Sequence, residues 1–337
     1  ELTFFPHLEA MYAAALDLCA SCDVIVGGSA SWCVKAATIR SGATFVAVHY
    51  YPGIVRSKHA PPPGLPTWRW LNRPGWALLD LMLDMGFRGP AAKFFAEKGL
   101  PPVRHAISDA LFSDRLNLLA ASPAFWPPPP DWSDLHRVCG DFVMPSHVEP
   151  WEPSSALSAF IERGSKPVLL SLGSMEHLAP GRARDLLIAS ARAAKVRAII
   201  QTKTEATEGH DGDLYFQPWA PHRHLAPLCS AVVHHGGAGT THAALRAGNP
   251  SVVLPFIFEQ KLWATRLQEV GAAGQPLSFW KAKPDQVASL IREAVESEPR
   301  RLRASELASA MAHEDGTGVA TRLLESLMRP LGSLGSL

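Results

Sequence analysis

A run of histidines, glycines and threonines is the part of this sequence best suited to chemistry. Residues 234–241 read His-His-Gly-Gly-Ala-Gly-Thr-Thr, after an apolar segment and before a helical pattern. Glycine lets a backbone approach a ligand closely, and the N-terminus of a helix presents unpaired N–H groups to an anion. The hydroxyl and imidazole groups add further hydrogen-bond donors. The sequence therefore predicts a phosphate-binding turn at residues 234–241, which we call the cradle.

Several phosphate chemistries compete for the cradle. A Walker-type loop requires Gly-Lys-Ser/Thr, and the cradle contains no lysine. A dinucleotide fingerprint requires a third glycine where His242 stands, although Glu259 follows Gly239 by 20 residues, as a ribose-binding acid would. That fingerprint normally opens the first strand–helix unit of a domain, whereas the cradle comes several units in. A diphosphate site for a nucleotide sugar fits better, and a glycine turn with two buried histidines is the alternative without function.

Residues 219–260, which include the cradle, resemble the donor-binding signature of the UDP-glycosyltransferases of the GT-B fold. The cradle itself is especially similar to that of the sterol 3-beta-glucosyltransferases and their bacterial relatives. Further similar segments lie at residues 127–132, 170–174, 250–255 and 311–316. The resemblance is specific over residues 165–320 and loose over residues 20–145.

The resemblance implies roles for individual residues of the donor site. Trp219 would stack on the uracil ring, and the backbone at Ala220 would meet the polar edge of the base. A position in the core is the alternative for Trp219. The diphosphate would be held by Ser174, His235, Gly237, Gly239 and Thr240. The sugar hydroxyls would form hydrogen bonds with Glu259 and Gln260. The family usually carries Asp where this chain has Glu259, so the sugar preference stays open.

The chain departs from the family pattern at two further positions. Plant members carry a ribose-binding glutamate where this chain has Ala243, so we expect ribose recognition from another residue. Some macrolide-type members carry an aspartate at the end of the strand that here ends in Gly28.

No residue of this sequence is assigned as the general base. The usual catalytic His or Asp of the family follows the first strand of the N-terminal domain, and we expect that position upstream of Glu1. His7, Asp23 and His49 are available, but nothing in their spacing favours them.

The elements that must position the site alternate between strands and helices. Residues 6–48 read helix, strand, helix, strand, which is typical of a parallel sheet covered by helices. After residue 154, continuous apolar strands at 168–172, 197–201, 231–234 and 251–255 alternate with helical patterns, as in a doubly wound sheet. We therefore predict an α/β protein of the GT-B class, with two Rossmann-like domains facing a cleft.

The polar, proline-marked loop at residues 145–153 suggests the domain boundary. We expect residues 1–148 to form an incomplete acceptor-binding domain and residues 149–330 to form the nucleotide-sugar-binding domain, with the last helix returning to the first domain.

A helical pattern over residues 68–85 is rich in Trp, Leu and Met on nearly every side. Such a composition favours a buried helix, and one wall of a lipophilic pocket is the alternative. Together with the proline cluster before it, the segment suggests a lipophilic acceptor such as a sterol, another terpenoid or a lipid.

Composition excludes several classes of protein. A length of 337 residues indicates two domains. The balance of 32 Lys and Arg against 31 Asp and Glu excludes nucleic-acid binding through bulk charge. No apolar stretch reaches the roughly 18 residues of a membrane-spanning helix. The odd, thinly spread cysteines favour a reducing compartment, and Cys19 and Cys22 are expected as buried thiols rather than metal ligands.

The predicted function is inverting transfer of a hexose, with glucose preferred, from a UDP-sugar to a hydroxyl of a lipophilic acceptor. A nucleotide-sugar-binding module without catalysis and a dTDP-deoxysugar transferase of the rhamnosyl type are the alternatives. We expect no metal, no bound cofactor and no nucleic-acid partner. The expected state is a cytoplasmic monomer that can contact a membrane peripherally.

Overall fold

The structure is a computed structural model that describes residues 7–28, 31–62, 64–66, 68–143, 150–202 and 208–328. The chain forms two compact units, one of Glu1–Phe142 with Asp315–Leu337 and one of Val143–Glu314. The boundary expected between residues 148 and 149 falls within 144–149, outside the described residues.

The first unit contains a parallel sheet whose strands follow the order of the chain. Its strands are β1 (Val24–Gly28), β2 (Thr44–His49), β3 (Leu116–Leu119) and β4 (His136–Val138). Its helices are α1 (Leu8–Cys19), α2 (Trp32–Ser41), α3 (Asn72–Leu83) and α4 (Gly89–Glu97). Helices α1, α2 and α4 share one apolar cluster that includes Trp32, Phe94 and Phe95. The predicted alternation of helix and strand over residues 6–48 is therefore present.

A helix at the end of the chain, Gly316–Glu325, packs within this first unit. Its Ala320 joins the apolar cluster of Val46 and Leu118. A Cβ at Gly316 would lie 2.4 Å from the carbonyl oxygen of Asp141, so a side chain there would push the start of the helix away. The sequence predicts that the last helix returns to the first domain, and the packing shows this return.

The predicted burial of residues 68–85 is wrong. The segment forms a short 3-10 turn (Arg69–Leu71), α3, and a π-helical turn (Asp84–Arg88) that runs into α4. Trp76 is buried, but Trp70 is 71% exposed and Met85 is 73% exposed. Because the sequence is apolar on nearly every side, its pattern does not reveal which face packs inward.

The expectation of buried thiols at the end of α1 is also wrong in part. Cys22 is exposed and Cys19 is partly exposed. These cysteines lie at or just after the end of α1, where Leu18 is exposed as well. The end of the helix is therefore not buried in the core, although its sequence is apolar.

The second unit is built on a sheet of order β10-β9-β5-β6-β8-β7. Its strands are β5 (Val168–Ser171), β6 (Ala198–Gln201), β7 (Gly209–Asp211), β8 (Leu214–Gln217), β9 (Ala231–His234) and β10 (Ser251–Val253). All neighbouring strands are parallel except β7, which pairs with β8 in the antiparallel sense. Strand β7 is polar and was not predicted.

Helices cover both faces of this sheet. The helices of this unit are α5 (Ser155–Glu162), α6 (Pro180–Ala194), α7 (His222–Leu225), α8 (Ala238–Arg246), α9 (Phe258–Glu269), α10 (Pro284–Glu296) and α11 (Glu298–Met311). The returning helix of the first unit, Gly316–Glu325, is α12. One apolar cluster packs α6 and α10 against the sheet, and another packs α5, α7 and α8. After β5, the chain adds β6 and β8 on one side of that strand, and it later adds β9 and β10 on the other side. The carboxyl ends of β5 and β9 therefore form a topological switch point, where doubly wound sheets bind ligands.

Candidate functional site

Polar residues line up across the sheet where its parallel strands end. Ser171 of β5 pairs with His234 of β9 on one side and with Gln201 of β6 on the other. Gln201 in turn pairs with Gln217 of β8. These side chains are all buried, at the edge of the sheet that contains the switch point.

A pocket of about 280 Å³ lies at this edge. Ser174 and Glu176 line it from the 3-10 helix after β5, Thr202 from the end of β6, and residues 218–222 from the segment after β8. Glu176 is buried and its carboxylate accepts a hydrogen bond from the Thr202 hydroxyl. Ser174 is exposed, so its hydroxyl is accessible to a ligand.

Trp219 presents its ring to solvent at this pocket, with 57% of the residue exposed. The alternative of a core tryptophan is therefore wrong. Buried glutamines hold the backbone beside it: Gln217 Nε2 donates to the Trp219 carbonyl at 2.8 Å, and Gln201 Nε2 donates to the Ala220 carbonyl at 2.7 Å. These hydrogen bonds fix the backbone of residues 219 and 220 at the edge of the pocket.

The cradle turns sharply between β9 and α8. Gly236 has φ +89°, and a Cβ there would lie 2.9 Å from the carbonyl oxygen of Gln260, so glycine is required. The first helical hydrogen bond runs from the Thr241 N–H to the Gly237 carbonyl. The N–H groups of residues 238–240, which include Gly239 and Thr240, therefore have no partner within the helix. They are the backbone donors that the cradle can offer to a ligand.

His235 lies against the glycines of the cradle and of the neighbouring loop. A Cβ at Gly237 would lie 2.3 Å from His235 Nε2, and a Cβ at Gly173 would lie 3.0 Å from Cε1 of the same ring. Burial, with a smaller contribution from nearby His222, lowers the pKa of His235 to about 4. The imidazole is therefore neutral near pH 7, and it offers the cradle a hydrogen bond rather than a positive charge.

His234 has a structural part in the turn. It is fully buried, and its Nδ1 accepts the Gly236 N–H at 3.1 Å. Burial, with help from the neighbouring imidazoles of His235 and His222, lowers its pKa to about 3.

His222 connects the pocket with the cradle, and the sequence interpretation did not single it out. Its Nε2 lies 3.0 Å from the Ser171 hydroxyl, and its Nδ1 lies 3.2 Å from the Thr240 hydroxyl. Burial lowers its pKa, so this ring also stays neutral. Its position three residues after Trp219, within the stretch that resembles the donor signature, was the available signal.

Glu259 and Gln260 occupy the first turn of α9. The side-chain Oε1 of Gln260 accepts the Phe256 N–H at 2.8 Å, so the side-chain Nε2 is the atom of this amide that remains for a ligand. Glu259 as a residue is exposed. Desolvation of its carboxyl group raises its pKa, and a hydrogen bond with the Trp263 side chain opposes that rise.

The dinucleotide alternative finds no support at His242. The ring is buried, its Nδ1 lies 2.8 Å from the Ala238 carbonyl oxygen, and its edge packs on Trp263 with ring centres 5.4 Å apart. A glycine in its place would remove this packing.

The candidates for a general base lie in the first unit. His49 is fully buried against Phe112, with ring centres 4.9 Å apart, and burial lowers its pKa to about 4. His7 and Asp23 are exposed. Within the described ranges, no three His, Cys, Asp or Glu side chains are grouped to hold a metal ion. None of the helices formed by the described residues combines the length and apolar character needed to cross a membrane.

Known proteins resemble this chain over parts of its length. Residues 196–326 match the family model described as erythromycin biosynthesis protein CIII-like, C-terminal domain. The chain is 34% identical over 247 residues to O-mycaminosyltylonolide 6-deoxyallosyltransferase of Streptomyces fradiae, covering 72% of this chain and 57% of the relative. It is 32% identical over 207 residues to a sterol 3-beta-glucosyltransferase of Arabidopsis thaliana, covering 59% of this chain and 33% of the relative.

Solved structures extend the likeness to nearly the whole chain. The glycosyltransferase VinC in complex with dTDP superposes with a TM-score of 0.60 at 20% identity, covering 94% of this chain and 74% of that one. Such likeness shows the fold, which is the predicted GT-B fold with Rossmann-like parallel sheets. The chain spans little more than half the length of the first of these curated relatives and a third of the second.

Proposed function

Since residues 196–326 belong to the EryCIII-like C-terminal domain family and the chain is a GT-B homologue of glycosyltransferases, we propose that it transfers a hexose from a UDP-sugar to a hydroxyl group of a lipophilic acceptor, with inversion at the anomeric carbon. The observation that carries the proposal is the continuity of the Trp219 pocket and the cradle through His222. A flat aromatic ring and a set of anion-binding N–H groups are what a nucleoside diphosphate needs.

The nucleoside end of the donor fits the Trp219 pocket. The exposed indole offers a face on which a pyrimidine stacks, and the Ala220 N–H offers a donor to its polar edge. Ala243 cannot bond the ribose hydroxyls. We assign that role to Glu176, because its buried carboxylate is the acidic group among the described residues that line the pocket.

The diphosphate fits the cradle. The unpaired N–H groups at the start of α8 and the Thr240 hydroxyl would donate to its oxygens, as would His235, and Ser174 would donate from the facing loop. Such preorganised donors stabilise the charge that develops on the departing nucleoside diphosphate. The proposal therefore includes no metal ion and no bound cofactor.

The sugar would lie against the start of α9. The Glu259 carboxylate accepts hydrogen bonds from sugar hydroxyls, and the Gln260 Nε2 amide donates one. In the reaction a base removes the proton of the acceptor hydroxyl, whose oxygen attacks the anomeric carbon while the nucleoside diphosphate leaves. We assign no residue of the described chain to that base.

A dTDP-deoxysugar donor is the second candidate. It is favoured by the 34% identity to a 6-deoxyallosyltransferase and by the likeness to a structure solved with dTDP. Stacking by itself does not select uracil over thymine, so the measured affinities for the two nucleotides must decide between the donors.

Calorimetry and a transfer assay test the two candidates together. The chain is titrated with UDP and with dTDP, and then incubated with UDP-glucose and a sterol while glucoside formation is followed. Tighter binding of UDP with glucoside formed supports the proposal, and tighter binding of dTDP supports the second candidate. Binding without transfer to any acceptor supports a nucleotide-sugar-binding module, and no binding of either nucleotide contradicts all three.

A further inference from the structure

Large apolar side chains are exposed along one segment of the first unit. They are Trp68, Trp70, Leu78, Leu81, Met82 and Met85, which we call the apolar face. Leu78, Leu81, Met82 and Met85 follow the spacing i, i+3, i+4, i+7, so they lie on one side of the helix. Trp68 and Trp70 stack on each other before that helix begins, with ring centres 5.9 Å apart and ring planes 18° apart.

The opposite side of α3 is fixed to the protein. Trp76 is buried and its Nε1 donates to the Ala60 carbonyl at 3.0 Å. Asn72 is buried too, and its Nδ2 donates to the Lys58 carbonyl at 2.9 Å. Because the inner side is held in this way, the apolar face cannot turn inward without breaking these contacts.

The charges of the segment are distributed unevenly. Asp80 forms a salt bridge with Arg56 at 2.6 Å. Asp84 accepts hydrogen bonds from the Ala106 N–H at 2.7 Å and from His105 Nδ1 at 3.0 Å. Both acids are thus engaged by the protein, and each side chain is only 16% exposed.

Three exposed arginines flank the apolar face, and one of them, Arg88, interacts electrostatically with Asp84. Arg69 and Arg73 stand at the start of the apolar face and Arg88 at its end, and all are exposed. Among the described residues none of them has a salt-bridge partner. The face therefore combines apolar and aromatic side chains with an unbalanced positive charge.

We propose that the apolar face docks on an anionic lipid surface. Tryptophans prefer the interface between lipid and water, aliphatic side chains enter the outer acyl region, and arginines attract anionic headgroups. An acidic protein would satisfy the arginines but offers no equivalent for so many exposed Leu, Met and Trp side chains. Docking brings the chain to the place where a lipophilic acceptor dissolves, yet lipid binding itself needs neither donor nor transfer.

Sedimentation with vesicles tests the proposal on the full chain. Vesicles of phosphatidylcholine alone are compared with vesicles of phosphatidylcholine and phosphatidylglycerol in equal parts. We expect binding to the anionic vesicles, loss of binding at high salt, and roughly tenfold weaker binding for Leu81→Ser. Leu302→Ser is the matched control, because Leu302 (58% exposed, on α11) and Leu81 (56% exposed) are similarly exposed.

A charge variant separates the two parts of the face. Replacing Arg69, Arg73 and Arg88 together with Gln should weaken binding to anionic vesicles about a hundredfold. Equal binding of both vesicle types, or equal effects of Leu81→Ser and Leu302→Ser, would overturn the proposal. A concentration-dependent dimer that Leu81→Ser converts to a monomer would also overturn it, because a second copy would then cover the face. Failure of nucleotide binding would leave this result unaffected.

Discussion

His222 Nδ1 lies 3.2 Å from the hydroxyl oxygen of Thr240, a residue of the cradle on the first turn of α8. A neutral imidazole has one N–H and one acceptor nitrogen, and Ser171 occupies its other nitrogen. With the hydrogen on Nδ1, the ring donates to Thr240 and leaves the Thr240 O–H directed to a ligand. His222 would then act through Thr240, as a positioning residue between the pocket and the cradle.

Replacing His222 with Leu should weaken UDP binding roughly tenfold, because the Thr240 hydroxyl loses the bond that orients it. His222→Gln, which retains a donor and an acceptor, should recover part of that loss. The measurement is calorimetry in a double-mutant cycle with Thr240→Val. Strictly additive effects of the two substitutions would show that His222 does not act through Thr240.

Replacing His235 with Ala should cost about 1.5–3 kcal/mol of UDP binding free energy, as expected for a hydrogen bond to a charged phosphate. His313→Ala is the control, because His313 is exposed on the loop before α12. An unchanged affinity for His235→Ala in calorimetry would exclude the cradle as the diphosphate site.

Replacing Trp219 with Ala should cost about 1–3 kcal/mol of UDP binding free energy, whereas Trp219→Phe should lose less because it keeps an aromatic face. Since Trp219 is exposed, neither variant should lower the unfolding temperature much. Titration with UDP beside thermal unfolding measures both quantities. A large loss of stability with little loss of affinity would mean that Trp219 supports the fold and not the base.

Replacing Glu259 with Ala should reduce turnover of a UDP-sugar more than binding of UDP alone, because the carboxylate is assigned to the sugar. Glu269→Ala is the control at the other end of α9, where the carboxylate pairs with Arg266 at 3.2 Å. Transfer rates and UDP affinities are measured for both variants. Equal losses of turnover and UDP affinity for Glu259→Ala would contradict the sugar role.

Stability should fall in mild acid because buried histidines take up protons on unfolding, and His49 contributes a measurable part of this loss. Burial lowers its pKa to about 4 in the folded chain. The unfolded chain, with a pKa of about 6.5, therefore binds more protons between these pH values. At pH 5 the difference amounts to about 2 kcal/mol of unfolding free energy, and above pH 7 it vanishes.

Urea unfolding of wild type and His49→Leu at pH 7.5 and pH 5 measures this difference. The variant should lose less stability between the two pH values than the wild type. His313→Leu should behave as the wild type does, because His313 is exposed. The same pH dependence in all three proteins would show that His49 is not the titrating group.

Features of this protein that depend on neighbours along the chain can be predicted from its residues in order. The cradle is contiguous: residues 234–241 alone predict a glycine turn and unpaired N–H groups at the start of a helix, and Gly236 and α8 supply them. Strand β9 was predicted with its observed limits, Ala231–His234, because a strand buried on both faces must be apolar throughout. These local features are enough to predict a phosphate-binding turn before any packing is known.

Features that join distant segments follow from the packing of the elements and cannot be predicted from local sequence. Ser171, His222 and Thr240 come from three elements, and nothing in their spacing reveals that their side chains meet. The exposure of Trp70 could not be predicted either. An apolar pattern indicates that a surface tends to be covered, but it does not indicate which partner covers it. Periodicity records the chemistry of each position, whereas contact and burial depend on which elements pack together, and that is a property of the whole chain.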